Sequence, residues 1–165
     1  MKKYKKPILW TLLALLILSQ FYHPDKNQSN DQTNHIGTQY PIPEATAAIL
    51  EVACYDCHSN YTRYPWYAEV QPIAGWLAGH VKNGKRKLNF SELTTRRIAV
   101  QNHKLEEVVE MVRDNKMPLT SYTLAHRDAV LSDAQKALLI DWAQTAMDSI
   151  KAQYPADSLR MRRRD

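Results

Sequence analysis

Apolar residues recur three and four positions apart in four segments of this chain, the spacing of helices that pack one face against a core. The predicted buried stripes are Ala45, Ala48, Ile49, Val52 and Ala53 in the first; Ile73, Trp76, Leu77, His80 and Val81 in the second; Leu105, Val108, Val109 and Val112 in the third; and Leu138, Leu139, Trp142 and Ala146 in the fourth. No stretch alternates apolar and polar residues over a strand's length. The pattern therefore predicts an all-α domain.

Local signals place the ends of three of these helices. Pro72 opens the second, since a missing N–H costs nothing at the first turn, and Gly84 is expected to end it. The third is predicted from about His103 to Asn115. Ser132 and Gln135 form an S-x-x-Q capping box at the start of the fourth helix.

The N-terminal apolar run differs from these amphipathic segments. Residues 8–18 are apolar except for Thr11, and four lysines precede them among the first six residues. The run is shorter than the roughly 20 residues of a membrane span and has the length of a signal-peptide core. No small-residue cleavage site follows. We therefore predict that residues 1–22 are an uncleaved anchor or a signal peptide. The remainder is then held at the periplasmic face of the inner membrane, or is free in the periplasm if the segment is cleaved.

Composition divides the rest of the chain. Residues 25–39 are rich in Asn, Gln, Asp and Thr, which predicts a flexible polar linker over 23–40. The folded domain is expected over 41–152, with a basic tail over 153–165. The formal charge of +5 comes from lysines and arginines clustered at the two ends of the chain. Because the folded part has no basic excess, we exclude nucleic acid as a partner.

Both cysteines of the chain lie in one motif, Cys54-Tyr-Asp-Cys57-His58. C-x-x-C-H is the attachment pattern of a c-type haem. Two intervening residues let one helical turn bring both thiols to the edge of the macrocycle, where each bonds a vinyl group. The adjacent His58 then ligates the iron. The motif predicts one covalent haem c.

Three other interpretations of the cysteine pair are weaker. A disulfide between Cys54 and Cys57 closes so small a loop that it adds little stability. A thioredoxin-like dithiol belongs to a βαβ context, which the pattern lacks. Structural zinc needs four ligands, and the motif supplies at most three.

Met117 is the expected sixth iron ligand, because Pro118 forces an extended turn that presents its thioether after the third helix. The alternative is that Met117 fills a gap in the core. His80, on the stripe of the second helix, is the rival ligand or a group beside it. The order of helix, C-x-x-C-H, helices, Met-Pro loop and terminal helix is that of a class I cytochrome c.

Residues near the motif are expected to support the haem. The second ring N–H of His58 should donate to a backbone carbonyl, and the carbonyl of Pro72 or of a residue close to it is the expected acceptor. Trp66, Tyr67 and Trp76 are expected to pack on the porphyrin or bond its propionates; ordinary aromatic core is the alternative.

The chain also resembles a known family. The stretches CYDCHSNYTRYPWY, QPIAGWLAGHVKNGKRKLNFSEL, HKLEEVVEMVRDNKMPLTSYTLAH and LSDAQKALLIDWA are similar to the small haem-binding domain family of exported bacterial proteins, over about residues 40–146. The resemblance implies one covalent haem held by Cys54, Cys57 and His58, and a relation to class I cytochromes. It also matches His80 and Asn89-Phe90 to the family pattern. It implies no particular reaction.

Two functions fit these expectations best. With both axial positions filled by His58 and Met117, the domain is a membrane-tethered electron carrier that meets a redox protein partner. With an open or displaceable sixth position and His80 as distal acid or base, it is a haem enzyme or a gas or redox sensor, such as a peroxidase-like protein. A weaker third possibility is a module that only presents haem to a larger complex. Carbon monoxide separates the first two, because only the open site binds it.

Overall fold

The chain is all-helical in its computed structural model, which describes residues 5–161, and no strand occurs among those residues. The helices are α1 Lys5–Ser19, α2 Glu44–Ala53, α3 Tyr55–His58, α4 Ile73–Lys87, α5 Ile98–Arg113, α6 Thr120–Ala125 and α7 Asp133–Gln153. Short 3₁₀ turns lie at Ile36–Thr38, Trp66–Glu69, Phe90–Thr95, Arg127–Ala129 and Ala156–Leu159. The prediction of an all-α fold is confirmed.

The core is centred on α5 and α7, with α2 packed across α7. The side chains that α5 and α7 contribute to the central apolar cluster are Leu105, Val109, Val112, Leu139, Trp142, Ala143, Ala146 and Ile150. Each large apolar side chain contributes about 1.5–3 kcal/mol by leaving water. Leu138 was expected in this stripe but is 43% exposed, because the buried face of α7 is centred on Leu139, Trp142 and Ala146.

The buried faces of α2 and α4 also differ from the expected stripes. In α2 the buried residues are Thr46, Ile49, Leu50 and Ala53, while Ala45 and Ala48 are exposed. In α4 only Ala74 and Val81 are buried; Ile73 and Trp76 are 41% and 52% exposed. The reason in α4 is its packing partner, since this helix lies against the one-turn helix α3 and the Trp66–Glu69 turn rather than against α5 or α7.

The capping box at the start of α7 is confirmed. Ser132 Oγ accepts the Gln135 backbone N–H at 3.3 Å, and Gln135 Oε1 accepts the Ser132 N–H at 2.9 Å. The end of α5 is a Schellman motif: Asn115 takes a left-handed φ of 56°, and the Lys116 N–H donates to the Met111 carbonyl at 2.9 Å. At its other end, α5 begins at Ile98, earlier than expected.

The polar segment 23–40 is not a free tether in this structure. The Asn27 side chain donates to the Ser59 carbonyl and to Thr62 Oγ1, both at 2.9 Å, and the Asn27 backbone carbonyl accepts the Thr62 N–H at 2.9 Å. Ile36 is fully buried in the core. The side chains of Asn27 and Ser29, in the stretch whose composition suggested disorder, instead bond the turn that follows the C-x-x-C-H motif. We call residues 23–40 the strap.

The N-terminal helix α1 exposes the large apolar side chains of residues 8–18. Its end is tied to the domain, because Gln20 Oε1 accepts the Gln71 N–H at 3.0 Å and Gln71 Nε2 donates to the Tyr22 carbonyl at 2.8 Å. Among the described residues, no helix has the length and apolar character needed to cross a membrane. The expected N-terminal charges at Lys2 and Lys3, and the tail arginines of 162–164, lie outside the described residues.

Candidate functional site

One helical turn carries the cysteine motif. Cys54 ends α2, donating its N–H to the Leu50 carbonyl at 2.9 Å. The Cys54 carbonyl then accepts the N–H groups of Cys57 at 3.2 Å and His58 at 3.0 Å, which forms α3. Both thiols are free and half-buried. The local hydrogen bonds therefore fix the two sulfurs and the imidazole on a single turn.

A cleft of about 370 Å³ lies beside this turn. Its lining includes Cys54, Asp56, Cys57 and His58 from the motif; His80, Asn83, Gly84, Arg86 and Lys87 from α4; and Met117, Pro118, Leu119 and Tyr122 from the loop before α6 and from α6 itself. The two cysteines predicted to attach the haem, the predicted proximal ligand and both candidate sixth ligands thus meet in one cavity. A wider hollow of about 590 Å³ beside His35 and Tyr55 contains none of these five residues.

The His58 ring is held by α4 through the residue that follows it. Nδ1 of His58 donates to the Leu88 carbonyl at 3.0 Å, which leaves Nε2 available as a ligand. The prediction that Pro72, or a residue close to it, accepts this bond is wrong, because the acceptor is Leu88 at the other end of α4; the Pro72 carbonyl instead accepts the Trp76 N–H at 3.2 Å. Burial lowers the pKa of His58, against the opposing effect of the Leu88 bond. The imidazole is therefore neutral at pH 7, as a metal ligand must be.

The thiols are protonated in the folded chain. Burial raises the pKa of Cys54 to about 12, with Cys57 adding to the shift, and raises that of Cys57 to about 11. Catalytic dithiols have the opposite character, with a thiolate stabilised by a lowered pKa. The surroundings of Cys54 and Cys57 therefore do not favour a thioredoxin-like redox pair.

Close contact between α4 and the motif depends on Gly84. A Cβ at this position would lie 2.5 Å from the Cys57 carbonyl oxygen and 3.0 Å from Cys57 Cβ. Gly84 was expected to end its helix, but α4 continues to Lys87 and the glycine lies inside it. Its role is steric, because it removes the side chain at the point where the two backbones meet.

Gly84→Ala is therefore expected to lower the free energy of unfolding by about 1–3 kcal/mol, the usual cost of forcing an atom into a packed site. Thermal unfolding followed by circular dichroism measures this change. Gly79→Ala is the matched control in the same helix, since nothing lies within 4 Å of a Cβ at Gly79. There the substitution should stabilise the protein by roughly 0.5–1 kcal/mol through helix propensity. Equal effects at the two positions would contradict the packing argument.

Asp56, inside the motif, is a buried residue whose role the sequence did not reveal. Its carboxylate accepts the Arg63 backbone N–H at 3.0 Å and the guanidinium Nε at 3.2 Å. The Tyr122 hydroxyl donates to its second oxygen at 2.7 Å. Burial and the bond to Asp56 raise the pKa of Tyr122, so the phenol retains the proton that it donates. An acidic residue between two cysteines, followed by Arg63, was the only sequence signal for this network.

The four other expected cofactor contacts do not line the cleft. Trp66 is 80% exposed. Trp76 packs against the ring of His80, with centroids 4.2 Å apart. The hydroxyl of Tyr67 lies 2.9 Å from His126 Nε2, and Pro72 begins α4. In this structure only Trp76 approaches the cleft, through its contact with His80.

Comparison with protein families identifies the cofactor class. The profile of the haem-binding domain family matches residues 14–145, most of the chain. This chain belongs to the haem-binding domain family. The match begins within α1, includes the strap and ends within α7. Comparisons with curated proteins and with solved structures gave no significant match.

The residues of the cleft fit the cofactor of the haem-binding domain family. A haem needs an apolar cavity and at least one strong iron ligand. The cleft offers a neutral imidazole with Nε2 available, a thioether at Met117, and two protonated thiols on one turn. Within residues 5–161, no three His, Cys, Asp or Glu side chains are grouped as the ligands of a bare metal ion would be.

Proposed function

We propose that this haem-binding domain holds one haem c, joined by thioether bonds to Cys54 and Cys57, with His58 as one axial ligand and Met117 as the other. The observation that carries the proposal is the single cleft in which these four residues meet. They come from chain segments about 60 residues apart, so their convergence is a property of the fold. The bond from His58 to Leu88 supports an axial role, since it orients the ring and increases its basicity.

We infer that the domain is an electron carrier related to class I cytochromes c. When bound, the haem supplies one-electron chemistry at the iron, and a His and Met ligand pair raises its potential. The order of elements supports this relation, because α2 leads into the motif and the Met117 loop comes before the terminal helix α7. A carrier of this kind needs a protein redox partner.

We further propose that the domain is exported and held at the periplasmic face of the inner membrane by its N-terminus. The lysine-rich start and the exposed apolar surface of α1 support this location. The strap alters how such an anchor works. Because Gln20 and residues 23–40 are hydrogen-bonded to the domain, the haem cleft keeps a fixed relation to α1 rather than moving on a long tether.

One observation favours a second function. His80 lines the same cleft as Met117, so a distal acid or base lies where a displaceable sixth ligand would need it. A haem enzyme or a gas or redox sensor is therefore the alternative to a carrier.

An optical titration of the full chain, produced together with the haem-attachment machinery, tests both functions. We expect a spectrum of low-spin haem that stays with the chain through denaturation, a methionine–iron(III) charge-transfer band in the oxidised protein, and no spectral shift under carbon monoxide at neutral pH. Haem that is extracted on denaturation would contradict covalent attachment. Attached haem that binds carbon monoxide would favour the enzyme or sensor.

A further inference from the structure

The segment that carries Met117 has little packing of its own. No residue of α6 is buried, and residues 113–116 and 118–121 include no buried side chain. A loop without buried apolar contacts is at the low-stability end of a fold. Its position must therefore come from a small number of specific contacts.

Two side chains, Tyr122 in α6 and His126 directly after it, make the polar contacts that attach this segment to the rest of the domain. Tyr122 reaches the motif, where its hydroxyl lies 2.7 Å from Asp56 Oδ2 and 3.0 Å from the Val52 carbonyl. A phenol has one proton, and it goes to the carboxylate, which is the charged and nearer acceptor. On the other side, the ring of His126 stacks on that of Tyr122, with centroids 4.3 Å apart. His126 Nε2 also forms a hydrogen bond with the Tyr67 hydroxyl.

Asp56 is a rigid anchor for this contact. It is buried, lies between the two cysteines, and is held by three donors of Arg63, whose guanidinium also donates to the Glu51 carbonyl at 2.8 Å. The bond from Tyr122 therefore joins two parts of the cleft wall. One part is the turn that carries Cys57 and His58. The other is the segment from Met117 to Tyr122.

We propose that Tyr122 is a positioning residue for the sixth ligand: its hydrogen bond to Asp56 ties the Met117 loop to the C-x-x-C-H turn and so keeps Met117 at the haem. This inference rests on the proposed ligation by Met117. A thioether is a weak ligand that must be held in place to compete with other donors. We call the hydrogen bond from Tyr122 to Asp56 the strut. Without it, the weakly packed loop spends more time away from the cleft, so an external ligand meets an iron that Met117 has already left in more of the molecules.

The test is an imidazole titration of the ferric full-length protein. Imidazole competes with Met117 for the iron, so its apparent dissociation constant depends on the fraction of molecules in which Met117 has left. A hydrogen bond to a charged group contributes enough that Tyr122→Phe should tighten the apparent imidazole Kd roughly tenfold or more. Deuterium exchange of residues 117–126, measured without added ligand, should become faster.

Tyr61→Phe is the matched control, because it removes the same atom from an exposed tyrosine that lines the other hollow. The fold is expected to survive Tyr122→Phe, since Arg63 still pairs with the Asp56 carboxylate, and circular dichroism checks this. Arg63→Lys serves as a second variant that alters the anchor while leaving the phenol in place; it should shift the imidazole Kd in the same direction.

The outcomes separate the strut from the ligand. Tighter imidazole binding and faster exchange in Tyr122→Phe, with Tyr61→Phe unchanged, would support the inference. If Tyr122→Phe behaves like the parent while Met117→Ala tightens imidazole binding, the strut is overturned and the ligation stands. If Met117→Ala also has no effect, Met117 is not the ligand, and the failure belongs to the proposed function.

Discussion

Replacing Cys54 and Cys57 together with alanine is expected to abolish all haem that remains with the chain after denaturation. The two thiols are the only cysteines of the chain, and both line the cleft from one helical turn. No other side chain can form a thioether with a vinyl group. The measurement is haem staining of a denaturing gel, with a pyridine haemochrome spectrum of the purified protein.

His80→Ala is the control for this experiment, since it alters the same cleft without touching an attachment residue. It should leave the stained band unchanged. Each single cysteine variant should retain at most one thioether, which shifts the haemochrome maximum away from that of the parent. A stained band of normal intensity in the double variant would contradict attachment at this motif.

Met117→Leu is expected to lower the reduction potential and to open the iron to carbon monoxide. Leucine keeps the approximate volume of methionine, so the loop should still fold. It lacks the thioether, which favours the reduced iron and raises the potential when His is the other ligand. A tenfold loss of the preference for reduced over oxidised iron lowers the reduction potential by about 59 mV for one electron, and we expect the potential to fall by more than this. Redox potentiometry with optical detection measures it.

Met111→Leu is the matched control, because Met111 is partly buried in α5 and does not line the cleft. The reduction potential of Met111→Leu should equal that of the parent protein. A different result would reassign the sixth ligand. If Met117→Leu leaves the reduction potential unchanged and His80→Ala changes it instead, His80 rather than Met117 holds the sixth position, and the iron is still filled on both sides as a carrier requires.

The motif and the helix order follow from local sequence, because each depends on residues a few positions apart. The C-x-x-C-H spacing predicts the turn that the structure shows, with Cys57 and His58 bonded back to Cys54. The same holds for the capping box of Ser132 and Gln135. Periodicity also found α4, but it could not select the buried face, since the face with Ile73 and Trp76 is more apolar than the one that packs.

The partners of the site were beyond the reach of local patterns. His58 and Leu88 are 30 residues apart, and Asp56 and Tyr122 are 66 apart. Which carbonyl or hydroxyl meets a given side chain depends on how helices cross, and that depends on the steric fit of residues such as Gly84. The strap shows the same limit, since its polar composition was equally compatible with a free linker and with a segment that satisfies a neighbouring turn.

The sequence by itself thus determined the all-helical class, the turn that presents two thiols and an imidazole, and the haem-binding family. Hydrogen bonds and apolar spacing within a few residues specify the first two, and the similarity of longer stretches indicates the family. Only the tertiary structure decided that His80 and Met117 share one cleft with that turn, that Leu88 holds His58, and that Asp56 reaches Tyr122. Those contacts join segments whose meeting is set by core packing, which no short pattern encodes.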